Sequence, residues 1–439
     1  MTEKNSIKYY IKELLNIAGP IIMGNLGFIL IGVGDVIVAG RHSTDTFAAI
    51  SIAAAIVNCI MTIAIGLTAS ISPLLSNYRG ERKPIKRYFY PSIRFAGFLA
   101  IITGFIIIGF IPLIPKIGFE QHLIKPIQQY MFISALSTFG GSLHHSLKEF
   151  LQAFEIVLFP NLLTIFSVFL NLILNIIFVF GWGIIPSMGA VGLAVASFIV
   201  RYFMGFALFI YCKMNMSVKN YHEKGYYKSL VKIGLPISFA ILIEFVAFNS
   251  VAIFMGRVAG VYAAAQNLLC TLINFTFMIP FAISNAIAVK VGFANGSNNY
   301  TDLKRYSCTG VGMSLLFMFC CAVVYMSFPK TIVSIFTADI NLQNIVIPIM
   351  TLIAVYQIFD GLQVSLSGIC KGIKQTKIIM IANFIAYWCL ALPFGYYLAF
   401  YKNLKITGFW IGLFTSSCIL CIIMILQLRK HLYIIQKRV

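Results

Sequence analysis

The sequence has few charged side chains and very few acidic ones. Charged residues make up 10% of the 439, and 33 Lys and Arg stand against only 13 Asp and Glu. Hydrophobic residues make up 60% and form long runs instead of alternating with polar ones, a pattern that excludes an ordinary soluble domain. The sequence therefore predicts an all-α polytopic membrane protein.

Motifs for nucleotide binding and for disulfide-stabilised folds are also missing. Neither a P-loop nor a G-x-G-x-x-G sequence occurs, so no ATP-driven motor is predicted. The ten cysteines lie almost entirely within apolar runs and form no disulfide framework. We expect no cofactor.

Twelve apolar runs are each long enough to span a bilayer, which requires about 20 residues. They cover approximately residues 14–38, 47–72, 92–115, 126–147, 158–181, 189–212, 231–256, 264–290, 308–328, 346–369, 378–400 and 407–428. The first run is too long for a signal-peptide core and lacks a small-residue cleavage site, so we expect it to be retained as a helix.

Basic residues are distributed unevenly between the two sides of the predicted membrane. When alternate connections are assigned to alternate sides, one side carries 25 Lys and Arg and the other seven, with Arg201 inside a run. The positive-inside rule then predicts a multi-pass protein of the plasma (inner) membrane with both termini in the cytoplasm. We expect the basic charge to face anionic lipid headgroups and not nucleic acid.

An internal repeat indicates that the chain is a duplicated six-helix unit. When the first quarter of the chain is aligned without gaps to the third, Pro20 pairs with Pro236, Gly40-Arg41 with Gly256-Arg257 and Asn58 with Asn274. Six helices per copy bring both copies in from the same side, which predicts two lobes related by a pseudo-two-fold axis along the membrane normal. The predicted lobes are residues 1–212 and 231–439, joined by a cytoplasmic linker at 213–230.

Three carboxylates lie inside the apolar runs, at Asp35, Glu244 and Asp360. An ionised acid at the centre of a membrane helix costs roughly 2.5 to 3.5 kcal/mol, so embedded acids indicate a function. Under the repeat, Asp35 aligns with Val251 and Glu244 with Phe28, so the fold requires an acid at neither position. No Lys or Arg adjoins these acids in the sequence, and the pattern predicts a protein that transports cations, protons or cationic substrates.

A polar stripe follows one face of the tenth run, at Tyr356, Asp360, Gln363 and Ser367. Lipid does not satisfy such a stripe, so it is predicted to face protein or a water-filled cavity. We expect the bundle to bring Glu244 to Asp360, where a compensating cation would bind. Because Tyr356 and Gln363 add neutral oxygen ligands, the predicted ion is Na⁺ at Glu244, Asp360 and Tyr356, with H⁺ as competitor.

The first lobe has its own group of polar candidates. Asn25 and Asp35 fall on one face of the first run, and Pro20 predicts a kink before them. Asn171 and Asn175 lie one turn apart in the fifth run. The asparagine pair is interpreted either as part of a first-lobe ion site with Asp35 or as interhelical hydrogen bonding that stabilises the bundle.

Other polar residues are interpreted as structural. Arg201 lies near the middle of the sixth run and is interpreted either as a functional cation or, as we favour, as a structural side chain that snorkels toward the cytoplasmic side. His144, His145 and Glu149 lie at the end of the fourth run, where they are predicted to be solvated at the membrane interface.

Several of these segments resemble the multidrug and toxic compound extrusion (MATE) family, NorM-type branch. The resemblance covers nearly the whole chain and is carried by Gly34–Gly40 with Ala48-Ala49, and by Ile233–Ile237, Glu244–Phe248, Phe254–Arg257, Ala263–Gln266 and Phe277–Pro280. It implies that the positions of Glu244, Asp360 and Tyr356 belong to a second-lobe cation site and that of Asp35 to a first-lobe site. Some relatives have Asp where this chain has Asn175, so the resemblance to their first-lobe sodium site is incomplete.

The resemblance further implies a Na⁺- or H⁺-coupled antiporter that exports amphipathic, often cationic compounds by alternating access. We expect Asn25, Gln363, Phe248 and Pro20 to line its substrate cavity and the protein to be a monomer in contact with lipid. Three alternatives remain: a flippase of lipid-linked saccharides on the same fold, a membrane-embedded enzyme, for which only His145 and Glu149 offer a reactive pair, and a passive channel.

Overall fold

The computed structural model describes residues 6–218 and 225–436, with side chains up to 431. Apart from one isolated bridge between Trp182 and Ile185, the described residues form helices, turns and bends. Part of the predicted linker, 219–224, lies outside the described residues. The all-helical prediction is confirmed.

Each predicted apolar run corresponds to one helical segment. The first six are α1 (Ile7–His42), α2 (Thr44–Gly80), α3 (Ile85–Lys116), α4 (Gln121–Ala153), α5 (Leu158–Phe180) and α6 (Ala190–Asn215). The second six are α7 (Tyr226–Gly256), α8 (Gly260–Gly296), α9 (Tyr300–Ser327), α10 (Ile340–Gly372), α11 (Thr376–Tyr401) and α12 (Lys405–Gln436), with a short helix, Pro329–Phe336, between α9 and α10. Most helices extend beyond the apolar run because their polar ends continue the helix.

Three of these segments change their helical type along their length. Segment α3 begins and ends with 3-10 turns, Ile85–Tyr88 and Ile111–Lys116. In α10, the helix Ile340–Val346 passes through the single turn Ile347–Ile349 into Met350–Gly372. In α11, the helix Thr376–Asn383 leads into the π-helical stretch Phe384–Ala391, then Leu392–Tyr396 and a second π-helical stretch, Tyr397–Tyr401. Wide π-helical turns are rare and occur frequently at functional sites.

Eleven of the segments are long and apolar enough to cross a membrane by length and composition alone. The remaining one, α4, is 33 residues long and begins with a polar turn, Gln121, His122 and Lys125. Its length of 33 residues exceeds the roughly 20 that a bilayer requires. The architecture is that of a polytopic membrane protein with twelve spanning helices in two six-helix lobes.

The chain divides into two compact units. One consists of Met1–Ala18 with Phe239–Val439, and the other of Gly19–Ser238. The division falls within α1 and α7, next to Pro20 and Pro236, the positions that the repeat aligns. The lobe boundaries drawn from the sequence, 1–212 and 231–439, remain a prediction.

Polar contacts explain why the start of α1 groups with the second-lobe helices. Glu13 forms an ion pair with Lys290 of α8. The Tyr10 hydroxyl donates to Asp302 Oδ1 of α9 at 2.7 Å, and its ring packs edge-on against Tyr306. Lys290 is only 5% exposed, so its charge requires this partner.

The unit formed by Gly19–Ser238 is held together by close helix packing at small residues. A Cβ on Gly140 of α4 would lie 2.8 Å from the backbone nitrogen of Tyr202, and one on Gly205 would lie 2.9 Å from the Gly140 carbonyl oxygen. Both distances are below van der Waals contact, so α4 and α6 approach closely only because both positions are glycine. Small residues commonly allow such approaches between membrane helices.

Candidate functional site

Glu244 of α7 is held by two side chains of α11. Its Oε1 accepts a hydrogen bond from the Tyr387 hydroxyl at 3.2 Å, and its Oε2 accepts a long one from Asn383 Nδ2 at 3.4 Å. Tyr387 and Asn383 are fully buried, whereas Glu244 is half-buried. Both carboxylate oxygens are therefore oriented by α11.

The predicted polar stripe of α10 lies in the same cluster. Asp360 is 3% exposed and lies within electrostatic range of Glu244. Tyr356 interacts with both acids and with Tyr387. Asp360 and Tyr356 thus lie within electrostatic range of Glu244, while the cation site that they were predicted to form stays a prediction.

Several oxygen atoms converge on the Tyr387 hydroxyl. It lies 3.2 Å from Glu244 Oε1 and 3.4 Å from Gln363 Oε1. One hydroxyl proton serves one acceptor at a time, so a second hydrogen-bond donor or a cation would stabilise the remaining oxygens. Carboxylate, amide and hydroxyl oxygens are the ligands preferred by hard cations.

An aromatic wall borders these oxygens. The Phe248 ring, which the sequence assigns to the substrate cavity, lies 5.9 Å from Tyr387 and 6.1 Å from Trp410, and Trp410 packs edge-on against Tyr356 at 5.5 Å. Trp410 is fully buried, and within the described residues its Nε1 has no hydrogen-bond partner. The wall provides an apolar surface next to the two acids.

Sequence reasoning missed three members of this cluster: Asn383, Tyr387 and Trp410. Asn383 and Tyr387 stand one helical turn apart, so a polar stripe in the eleventh run was available as a signal. The stripe is short, and the sequence has 21 tyrosines, so a tyrosine in an apolar run does not by itself indicate a site. The π-helical turn that begins at Phe384 is not readable from apolar periodicity.

In the other unit, Asp35 of α1 is joined to both predicted asparagines of α5. Asn175 Nδ2 donates to Asp35 Oδ1 at 2.6 Å and to Asn171 Oδ1 at 3.0 Å. Both asparagines are at most 1% exposed. Within the described part of the chain, Asn171 Nδ2 and Asn175 Oδ1 have no partner. The pair therefore belongs to the surroundings of Asp35 and also links α1 to α5.

Two further residues approach Asp35 that the sequence did not connect with it. Arg201 of α6 donates from Nη1 to Ser137 Oγ of α4 at 2.7 Å, so it is bonded inside the bundle. It lies within electrostatic range of Asp35, as does the buried Tyr130. The second-lobe Glu244 has a cation within range as well, Lys371. Asp35 and Glu244 thus lack basic neighbours in the sequence but not in space.

The remaining first-lobe candidates are not joined to Asp35. Asn25 makes no hydrogen bond to it, and Asn25 Nδ2 is buried without a partner in the part of the chain that the structure describes. Pro20 lies within α1, which runs from Ile7 to His42 as one helix. The kink at Pro20 and the cavity function of both residues stay predictions.

The described residues contain no group of three or more His, Cys, Asp or Glu that could hold a metal ion. A cation at Glu244 and Asp360 would therefore need neutral oxygens to complete its coordination. Tyr356, Tyr387 and Gln363 are placed to supply them. Such a set favours a weakly held, exchangeable ion over a structural metal.

A family model described as MatE matches the chain twice, over residues 20–177 and 236–397. The two matches begin at Pro20 and Pro236, the pair of positions that the internal repeat aligns. The chain is 26% identical over 431 residues to a probable multidrug resistance protein NorM of Bacillus anthracis, covering 94% of both chains. It is 24% identical to the protein of the same name from Acinetobacter baylyi, covering 98% of both.

Solved structures show the same fold. The chain superposes on a mutant of the Vibrio cholerae MATE transporter VcmN with a TM-score of 0.90 and 17% identity, covering 97% of this chain and 98% of that one. It superposes on the eukaryotic MATE transporter AtDTX14 with a TM-score of 0.86 and 18% identity, covering 98% and 99%.

Proposed function

Because the chain belongs to the MatE family, we propose that it is a cation-coupled antiporter that exports amphipathic, often cationic compounds. Members of the family are transporters, so the alternative of a membrane-embedded enzyme is set aside. The relatives named as multidrug resistance proteins support drug export as the transported class. The coupling proposal rests on one observation. Glu244 and Asp360 lie within electrostatic range of each other, beside neutral oxygen atoms such as the Tyr387 hydroxyl.

The coupling follows from the electrostatics of two neighbouring acids. Two carboxylates within range of each other in a buried site do not both stay ionised without a compensating charge. Na⁺, H⁺ or a cationic substrate would each supply it. If the ion and the substrate stabilise different conformations, each changes the affinity for the other by the same factor, typically about 5- to 150-fold. That reciprocal coupling is the basis of antiport.

We propose Na⁺ as the coupling ion of the second lobe, with H⁺ as a competitor. Purified protein in liposomes should expel a preloaded fluorescent cation such as ethidium when a Na⁺ gradient is imposed and pH is clamped on both sides. Efflux driven by a proton gradient alone would contradict the sodium assignment. Dye movement that ignores both gradients would contradict the antiporter.

The charge distribution of this multi-pass membrane protein supports our proposal that both termini lie in the cytoplasm. We also propose that the protein is a monomer. Single cysteines introduced by Ser217→Cys and Asn341→Cys into a cysteine-free variant should differ in intact cells. An impermeant maleimide should label position 341 and leave 217 unlabelled until the cells are lysed. Labelling of 217 in intact cells would reverse the orientation.

A further inference from the structure

A group of basic side chains surrounds one aromatic ring within the Gly19–Ser238 unit. The Phe28 ring of α1 lies 5.8 Å from both His144 and His145 of α4, and it stacks against the latter. Lys148, one turn further along α4, places its Nζ 5.5 Å from the centre of the same ring. Arg201 lies within electrostatic range of His145. We call Phe28, His144, His145 and Lys148 the basic cluster.

Two members of the basic cluster align with two members of the second-lobe site. The internal repeat aligns Phe28 with Glu244. Helices α4 and α10 end at Ala153 and Gly372, and when the two helices are matched at these ends, His144 aligns with Gln363. The aligned positions thus carry an aromatic ring and a base in the first lobe, where the second lobe has an acid and an amide.

One polar atom of the basic cluster is buried without a partner among the residues that the structure describes. His144 is 1% exposed, so its predicted interfacial solvation is wrong, and its Nε2 has no hydrogen-bond partner in the described residues. Neither His145 nor Lys148 makes a hydrogen bond in the same part of the chain, and the acid within electrostatic range of Lys148 is the adjacent Glu149. A buried polar atom left without a partner costs about 1–3 kcal/mol, so His144 Nε2 points to a ligand, and the half-buried His145 and Lys148 lie beside it around the same ring.

We propose that the basic cluster is a subsite for the carboxylate of an amphipathic aromatic substrate. Lys148 supplies a positive charge, the imidazole N–H groups donate hydrogen bonds to the carboxylate oxygens, and Phe28 contacts the aromatic body. The proposal rests on the proposed transport function and refines its substrate class: the protein binds zwitterionic compounds better than the matching cations without a carboxylate.

Rhodamine B and its ethyl ester test the subsite, because they share one cationic ring system and differ only in a free carboxylate. Binding of each dye to purified protein would be followed by fluorescence polarisation in phosphatidylcholine nanodiscs. The unmodified protein should bind rhodamine B more tightly than the ester. Lys148→Met and His144→Leu should each weaken rhodamine B binding by about 10-fold or more, as expected for a lost charged hydrogen bond, and change ester binding less than about 2-fold.

A matched control comes from a second lysine in the same unit that lies over a phenylalanine. Lys213 Nζ lies 5.6 Å from the ring centre of Phe209, outside the basic cluster. Lys213→Met should leave the affinity for both dyes unchanged. Retained ester binding by Lys148→Met and His144→Leu shows that these variants are folded.

Two results would overturn the subsite. One is an equal loss of affinity for both dyes, which would assign the basic cluster to packing. The other is an equal affinity of the unmodified protein for rhodamine B and its ester, which would exclude a contact with the carboxylate. Failure of the subsite is distinct from failure of the antiporter, since ion-driven efflux of the ester is measured independently.

Discussion

Glu244→Gln should strongly weaken Na⁺-driven efflux without abolishing it, and Asp360→Asn should do the same. Each change removes one of the two charges that a cation would neutralise. The amide of Glu244→Gln still reaches Tyr387, and the amide of Asp360→Asn fills the same volume as the carboxylate. Thermal stability should not fall, because one of two neighbouring buried like charges is removed. The measurement is dye efflux from proteoliposomes under a Na⁺ gradient with pH clamped.

The double variant separates one shared site from two independent ones. If both acids bind one ion, the Glu244→Gln, Asp360→Asn protein should be little worse than either single variant, because the losses of coupled residues do not add. Glu120→Gln is the matched control, since Glu120 precedes α4 with a largely exposed side chain. Wild-type efflux rates in either single variant, or additive losses in the double variant, would contradict the proposal of one shared cation site.

The embedded acids show which parts of the candidate site can be predicted from the sequence alone. Asp35, Glu244 and Asp360 stand out in it because charge is rare and apolar runs are long, and the structure places Asp35 and Glu244 beside polar partners from another helix. The 3.6-residue period identified the α10 stripe, since that face contains three polar side chains near one acid. Glu244 and Asp360 lie in helices far apart along the chain, so the expectation that they meet depended on the repeat and the family resemblance.

The partners of those acids were harder to predict for a physical reason. Tyr387 and Trp410 are amphipathic, and from sequence their rings look like the lipid contacts and packing residues that aromatic side chains provide throughout a membrane bundle. The π-helical stretch Phe384–Ala391 also changes which residues of α11 share a face, and the spacing of apolar residues does not predict such a stretch. The environment of Arg201 was not predictable from the sequence either, because its hydrogen bond to Ser137 depends on the packing of α6 against α4.

Asp35→Asn should abolish efflux while leaving protein abundance and thermal stability near those of the unmodified protein. An asparagine at this position retains an oxygen for the Asn175 Nδ2 donor, so the link between α1 and α5 is kept and only the charge is lost. Asp35 is the acid embedded in the first lobe, and a half-buried carboxylate there is the group able to exchange a proton or meet a cationic substrate. Efflux would be measured in liposomes under Na⁺ and proton gradients separately.

Asp45→Asn provides the comparison for Asp35→Asn, because Asp45 lies in the first turn of α2 with its side chain 68% exposed. It should pump at the unmodified rate. A further variant, Asn175→Leu, removes the donor to Asp35 without touching the charge, so it should lower stability as well as efflux. If Asp35→Asn pumps normally and Asn175→Leu does not, the first-lobe group stabilises the bundle. Ion coupling then lies entirely with Glu244 and Asp360.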